Sequence, residues 1–113
     1  MNMEKAIAKS KYIRIPPRKA RLAADLIRGL KVEEANLQLM LCKLKAGRLL
    51  KKTLDSAVAN AETQLNIQRR DLRVKEVRVD CGPVLKRSKP KNRGGSHPIM
   101  KRTSHFTIVV GTE

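Results

Sequence analysis

The chain has 113 residues, of which 26 are Lys or Arg and 10 are Asp or Glu, giving a formal charge of +16. Apolar residues make up 41% of it and charged residues 32%, which supports one small core over residues 1–113 and excludes a disordered basic tail. With one Tyr, one Phe and no Trp, that core must be aliphatic.

A surface this basic repels itself, and a polyanion relieves the repulsion. Nucleic acid is the commonest soluble polyanion. An anionic membrane is the rival, but helices that lie on membranes set their cations against bulky Trp, Phe or Leu, and Trp is absent. A merely soluble basic protein is disfavoured, because small soluble domains carry a modest net charge. No membrane insertion is expected. The longest uncharged run, Thr103 to Thr112, is about half of the ~20 apolar residues that a span requires. Met1 to Lys11 has no apolar run of the secretory kind. Cys42 and Cys81 are far apart and form no CxxC motif, which suits a reducing cytoplasm and small buried or half-buried thiols.

Chemistry is poorly supported. His97 and His105 have no Cys, Asp or Glu at metal-ligand spacing. Glu33 and Glu34 are adjacent, so on a helix they point apart and suit its first turn better than a shared acid–base task. No catalytic residue, metal, cofactor or small-molecule substrate is expected, and the protein is not read as an enzyme.

In chain order, Ala6, Ala8, Tyr12, Ile13 and Ile15 alternate loosely with Lys9, Lys11 and Arg14, which predicts a basic strand. Pro16-Pro17 stops it and suits the first turn of a helix. That helix is predicted over Arg18 to Arg28, with Ala20, Ala23, Ala24 and Ile27 at its core, Leu22, Leu26 and Leu30 widening the stripe, and Gly29 ending it. A second helix is predicted over Val32 to Cys42, with Ala35 and Leu39 in period and Leu37 and Leu41 alongside. The longest helix runs from Lys45 to about Leu65, on Ala46, Leu49, Leu50, Leu54, Ala57, Val58, Ala61 and Leu65. Lys43, Lys45, Arg48, Lys51 and Lys52 crowd its start against the helix dipole, which prefers anions there. That cluster suits either an external anion or a solvated basic face. Leu72 to Val79 reads as a strand whose alternation slips at Lys75-Glu76, the mark of a bulge or of a change of buried face. Thr103 to Val110 is the clearest strand, with Phe106, Ile108 and Val110 on one face and His105, Thr107 and Val109 on the other.

Between the last two strands, Gly82 to Arg102 carries Lys86, Arg87, Lys89, Lys91, Arg93, Lys101 and Arg102 and no acid. The segment is palindromic about Gly94-Gly95, with Pro90 and Pro98 placed evenly on either side. Gly-Gly suits a hairpin tip, so a long β-hairpin arm is predicted, each side reaching ~30 Å at ~3.3 Å per residue. Such a ribbon is marginal alone. Its prolines remove ladder donors, and the palindrome sets like charges opposite one another. Either it is a disordered basic loop, or it is ordered by burial in a polyanion, the reading its composition favours. Structured RNA fits best. No helix offers a set of polar residues for a DNA major groove, and two aromatic residues make no stacking platform for single strands.

The motifs SKYIRIPPRKARLAADLIRGLKVEEA, LDSAVANAE, VRVDCGPVLKR and KRTSHFTIVV, in this order, closely resemble the bacterial-type L-twenty-two family of large-subunit ribosomal proteins, from about Ala6 to Val110. The resemblance implies an α+β fold, with three helices packed on a small three-stranded antiparallel sheet and a long extended β-hairpin arm over 82–102. It implies a structural role in the ribosome, in the bacterial cytoplasm or an organellar stroma or matrix: binding several domains of large-subunit rRNA, aiding early assembly, and lining the nascent-peptide exit tunnel. The implied partners are that rRNA, neighbouring large-subunit proteins and the nascent polypeptide. The candidate rRNA-binding residues are Lys9, Lys11, Arg14, Arg18, Lys19 and Arg21 on the domain face, Lys86, Arg87, Lys89, Lys91, Arg93, Lys101 and Arg102 on the arm, and Thr103 and His105 at its root. The implied tunnel tip is Lys89, Pro90, Lys91, Asn92, Arg93, Gly94, Gly95 and Ser96. The competing class is a free-standing RNA- or DNA-binding regulator or chaperone that uses the same charge.

Overall fold

A computed structural model describes the backbone of residues 5–90 and 96–112 and the side chains of residues 5–84 and 101–112. It is an α+β fold. Strand β1 (Lys5–Ile13) is followed by helices α1 (Pro17–Asp25), α2 (Val32–Leu41) and α3 (Lys45–Gln64), and a 3-10 turn at Arg69–Asp71 leads into β2 (Arg73–Cys81). Strands β3 (Leu85–Pro90) and β4 (Ser96–Lys101) form the arm, and β5 (Ser104–Gly111) returns to the sheet. The main sheet has the order β1-β5-β2, antiparallel throughout. The three helices pack on one of its faces, α3 against β1 and β5, α1 against β2, and α2 against α3.

Aliphatic side chains fill the space between helices and sheet. Ala20, Ala23, Ala24 and Ile27, then Leu50, Leu54, Ala57 and Ala61, meet Val74, Val77, Ile108 and Val110, all buried. Phe106, on the central strand between Ser10 and Val79, is the largest fully buried side chain. The helical stripes are narrower than predicted. Leu22, Leu26, Leu37 and Leu41 are exposed, because at about 100° per residue they fall on the side away from Ala20 and Ala24, or from Ala35 and Leu39. α1 also ends at Asp25 rather than Arg28, and a turn follows in which Gly29 takes φ 78°, a left-handed conformation that only Gly adopts without strain. Cys81 is exposed rather than buried, while Cys42 is half-buried. Of the two readings of the slip at Lys75-Glu76, the bulge is the one present, where the register shifts between Val74 and Glu76. Thr107 and Val109, expected on the outward face of β5, are buried as well, since a central strand is flanked by long side chains on both neighbours.

The β2 edge is covered by side chains and loops of the helical layer, and the β1 edge receives one such bond. On β2, the Val32 N–H donates to Leu72 O (3.1 Å) and the Val74 N–H to Leu30 O (2.8 Å). Further along, Arg28 Nη1 donates to Val77 O (2.6 Å), and Arg21 donates through Nε and Nη2 to Val79 O (3.3 and 3.1 Å). On β1, Asn60 Nδ2 donates to Ile7 O (3.1 Å). An open edge invites pairing with another chain, and the donors along β2 occupy that edge. Arg28→Ala should lower stability by about 1 kcal/mol, the value of a charge-assisted hydrogen bond discounted for an arginine that is half exposed. A urea denaturation midpoint equal to wild type would show that water replaces Arg28 at Val77 without cost.

The arm departs from the palindrome. Its ladder pairs Lys86 with Met100, Arg87 with Ile99, Ser88 with Pro98, Lys89 with His97 and Pro90 with Ser96. The prolines do not face each other, and the register is two residues away from the symmetric one. That offset places Lys86 and Arg87 opposite apolar residues instead of Arg102 and Lys101, which removes the predicted like-charge pairs. The predicted Gly94-Gly95 tip lies outside the described residues. The molecule measures 65 × 25 × 19 Å with a radius of gyration of 17.2 Å, against about 13 Å for a compact chain of this length.

Candidate nucleic-acid interface

The site forms where the arm leaves the sheet. The Gly82 N–H donates to Thr103 O (2.9 Å), and the Thr103 hydroxyl donates to Pro83 O (2.6 Å). A Cβ at position 82 would collide with that hydroxyl and crowd the His105 ring, so Gly is required for the two sides of the root to close. Beside it, the buried Ser104 hydroxyl donates to Ile15 O (2.6 Å), which fixes the chain as it leaves β1. Arg14 projects to solvent just before this anchor, and Pro16-Pro17 start α1 just after it.

Three open clefts meet around Pro16. The first is lined by Arg14, Pro16, Lys45, Lys101 and Arg102. The second adds Arg18, Lys19, Arg21 and Cys81, and the third adds Leu22, Lys43 and Leu44. Together they gather Arg14, Arg18, Lys19, Arg21, Lys43, Lys45, Lys101 and Arg102, and no acid is among their lining residues. Ion pairs form elsewhere, between Lys51 and Asp55 and between Arg78 and Glu76, for example. Two helix N-termini open onto the same concavity. Neither α1 nor α3 has a side-chain cap or an acid in its first turn, whereas α2 has Glu33 and Glu34. Uncapped N–H groups and the positive ends of two dipoles thus add to eight cations. The arrangement is self-repelling in isolation and suits phosphate oxygens.

The predicted site residues are distributed unevenly over this geometry. Arg14, Arg18, Lys19, Lys101 and Arg102 are exposed and converge on the clefts. Arg21 also lines them, but its guanidinium is anchored on Val79. Thr103 is buried and its hydroxyl is engaged by Pro83. Lys9 lies on the opposite face of the sheet, across from Thr107, and Lys11 sits in an irregularity of β1 near His105. Lys86, Arg87, Lys89 and Pro90 are on β3 and Ser96 is on β4. Lys91, Asn92, Arg93, Gly94 and Gly95 lie outside the described residues. Lys43 and Lys45 belong with the cleft although they were not among the candidates. Their signal was present in the sequence as cations opposing a helix dipole, but only the fold shows that this helix starts beside Arg14 and the arm root.

These features define a class: a small, strongly basic α+β protein with a ribbon arm and an uncompensated cationic concavity at its root. A family model described as Ribosomal protein L22p/L17e matches residues 8–111. The chain is 74% identical over 110 residues to the large ribosomal subunit protein uL22 of Protochlamydia amoebophila, covering 97% of each chain. It is 64% identical over 104 residues to the protein of that name from Chlamydia pneumoniae, covering 92% of this chain and 94% of the relative. The chain belongs to the Ribosomal protein L22p/L17e family, which makes it a structural ribosomal component and not an enzyme.

Proposed function

We propose that the protein binds large-subunit rRNA through two connected surfaces, the cleft around Pro16 and the arm over 82–102, and that the whole chain acts as one domain carrying that arm. The observation that carries this reading is the convergence of eight cations and two uncapped helix N-termini with no acid among the lining residues. Phosphates of folded RNA approach from several directions, and a concave surface joined to a ribbon meets such a shape better than it meets a straight duplex. Lys86, Arg87, Lys89, Lys91, Arg93, Lys101 and Arg102 hold phosphates along the arm, and Arg14, Arg18, Lys19, Lys43 and Lys45 hold them at its root. Thr103 acts indirectly, by fixing the root.

In this reading the protein resides in the cytoplasmic ribosome, joins the large subunit early in assembly and contacts neighbouring large-subunit proteins. Lys89 to Ser96 form part of the exit-tunnel wall and meet the nascent polypeptide. Sucrose-gradient sedimentation of cell lysate at low salt should place the tagged protein with the large subunit and with its early precursors. A protein found mainly at the top of the gradient would favour a free-standing regulator instead.

A further inference from the structure

The only tyrosine of the chain occupies an unusual place on the sheet. Ser10 is opposite Phe106 and Ile13 is opposite Ser104, so β1 takes three steps where β5 takes two. The extra residue keeps both Ser10 and Ile13 turned inward, where the Ser10 hydroxyl bonds Thr53 Oγ1 (2.8 Å) and Ile13 packs against the core. Tyr12, predicted as part of the apolar alternation, is instead 64% exposed with φ 59°. Left-handed backbone is a genuine outlier for a bulky residue, and Gly or Asn would serve such a bulge with less strain.

The ring is held as well as exposed. The Tyr12 N–H donates to His105 Nδ1 (3.1 Å), and the two rings meet edge to face with centroids 5.0 Å apart and planes at 89°. In a pair at right angles the two rings can share no more than one face of Tyr12. A flat aromatic surface is therefore pre-set toward solvent, which reduces the ordering cost of stacking on it. Lys9, Lys11 and Arg14, all exposed, flank it along the chain. An aromatic face among cations matches a base with its adjoining phosphates. Asp80 faces His105 from β2, on the side away from β1.

We infer that Tyr12, braced by His105, stacks on one unpaired nucleobase of the bound RNA. The inference rests on the RNA-binding reading and deepens it, adding a contact to a base where the cleft meets phosphates. The scarcity of aromatic residues excludes a platform for several bases, but a single base needs a single ring.

With no Trp and one Tyr, the intrinsic emission of the full-length protein reports on this position alone. Two probes separate the outcomes: a fully paired RNA duplex, and the same duplex carrying one unpaired adenosine. The bulged RNA should quench the tyrosine emission and the paired duplex should leave it unchanged while still binding. Tyr12→Ala should weaken binding of the bulged RNA by about 5- to 140-fold, the value of one stacked base, without weakening the paired duplex, and Tyr12→Phe should retain affinity. Binding of the bulged RNA without quenching, or equal affinity of Tyr12→Ala for it, would overturn the stacking. Failure of wild type to bind either RNA would overturn the RNA reading beneath it. The quenching result uses wild type and stands whatever the stability of the variants.

Discussion

Replacing Arg14, Arg18, Lys101 and Arg102 together by Ala should lower affinity for purified large-subunit rRNA by roughly 100- to 1,000-fold at 0.15 M salt. Each phosphate contact releases about 0.7–0.9 counterion, so four lost contacts should make the slope of log affinity against log salt shallower by about 3, and at this salt each is worth roughly a factor of five. All four side chains are exposed, so the variant should fold as wild type, with less self-repulsion. The control removes the same charge elsewhere. Lys5, Lys31, Arg70 and Lys75 lie toward the other end of the sheet, where Lys5 and Arg73 pair with Gly111 and Lys31 bridges to Arg73. Their replacement should leave most of the affinity in place, because solvated charges farther away than the ~8 Å Debye length at this salt are screened. Equal losses from the two variants in a filter-binding titration would mean that net charge, and not the cleft, drives binding.

Phe106→Ala should destabilise the fold by about 3–5 kcal/mol, since it deletes the largest buried side chain and leaves a cavity. For a chain of 113 residues the whole stability is about 6–17 kcal/mol at 0.05–0.15 kcal/mol per residue, so a large share would be lost. The loss should be nearer ~5 than ~3 kcal/mol. Phe106 lies on the central strand, between Ser10 and Val79, and an aliphatic core has no other aromatic ring to shift into the space. The urea midpoint should fall by about 3 M for a slope of ~1.5 kcal/mol per M. A fall of less than half that would mean that the neighbouring aliphatic side chains collapse into the cavity.

The two outcomes test different links. Phe106 holds the central strand in place, and that strand begins with Ser104, whose hydroxyl anchors Ile15 and so sets Arg14 and Pro16 beside the arm. The cations are chemically competent anywhere on the surface, but they become a site only because β5, β1 and α1 meet at one end of the sheet.

The element order, the helix positions and the β-branched last strand were legible because they follow from local periodicity. The heavy charge of the Gly82–Arg102 segment and its lack of acid were equally plain, as were the family motifs. What failed depended on contacts between elements that are distant in the chain. Leu22 and Leu26 look like core residues on an isolated helix, but the sheet covers only one side of α1. The palindrome of the arm is real as a pattern, yet backbone pairing follows where the strands leave Gly82 and Thr103, and it settles two residues away. Lys43 and Lys45 oppose a helix dipole, which left an external anion and a solvated face equally open and did not indicate which other cations lie beside them.

By itself the sequence determined the charge, the aliphatic core and the hairpin, and it pointed to a polyanionic partner, because each is a property of composition or of short-range period. Tertiary structure alone decided that Arg14, Lys45 and Arg102 line one cleft, that Arg21 and Arg28 close an edge of the sheet, and that Tyr12 faces solvent against His105. These depend on strand register and on which helix end lies over which strand. No local pattern encodes them, because the partners are 31 to 93 positions apart along the chain.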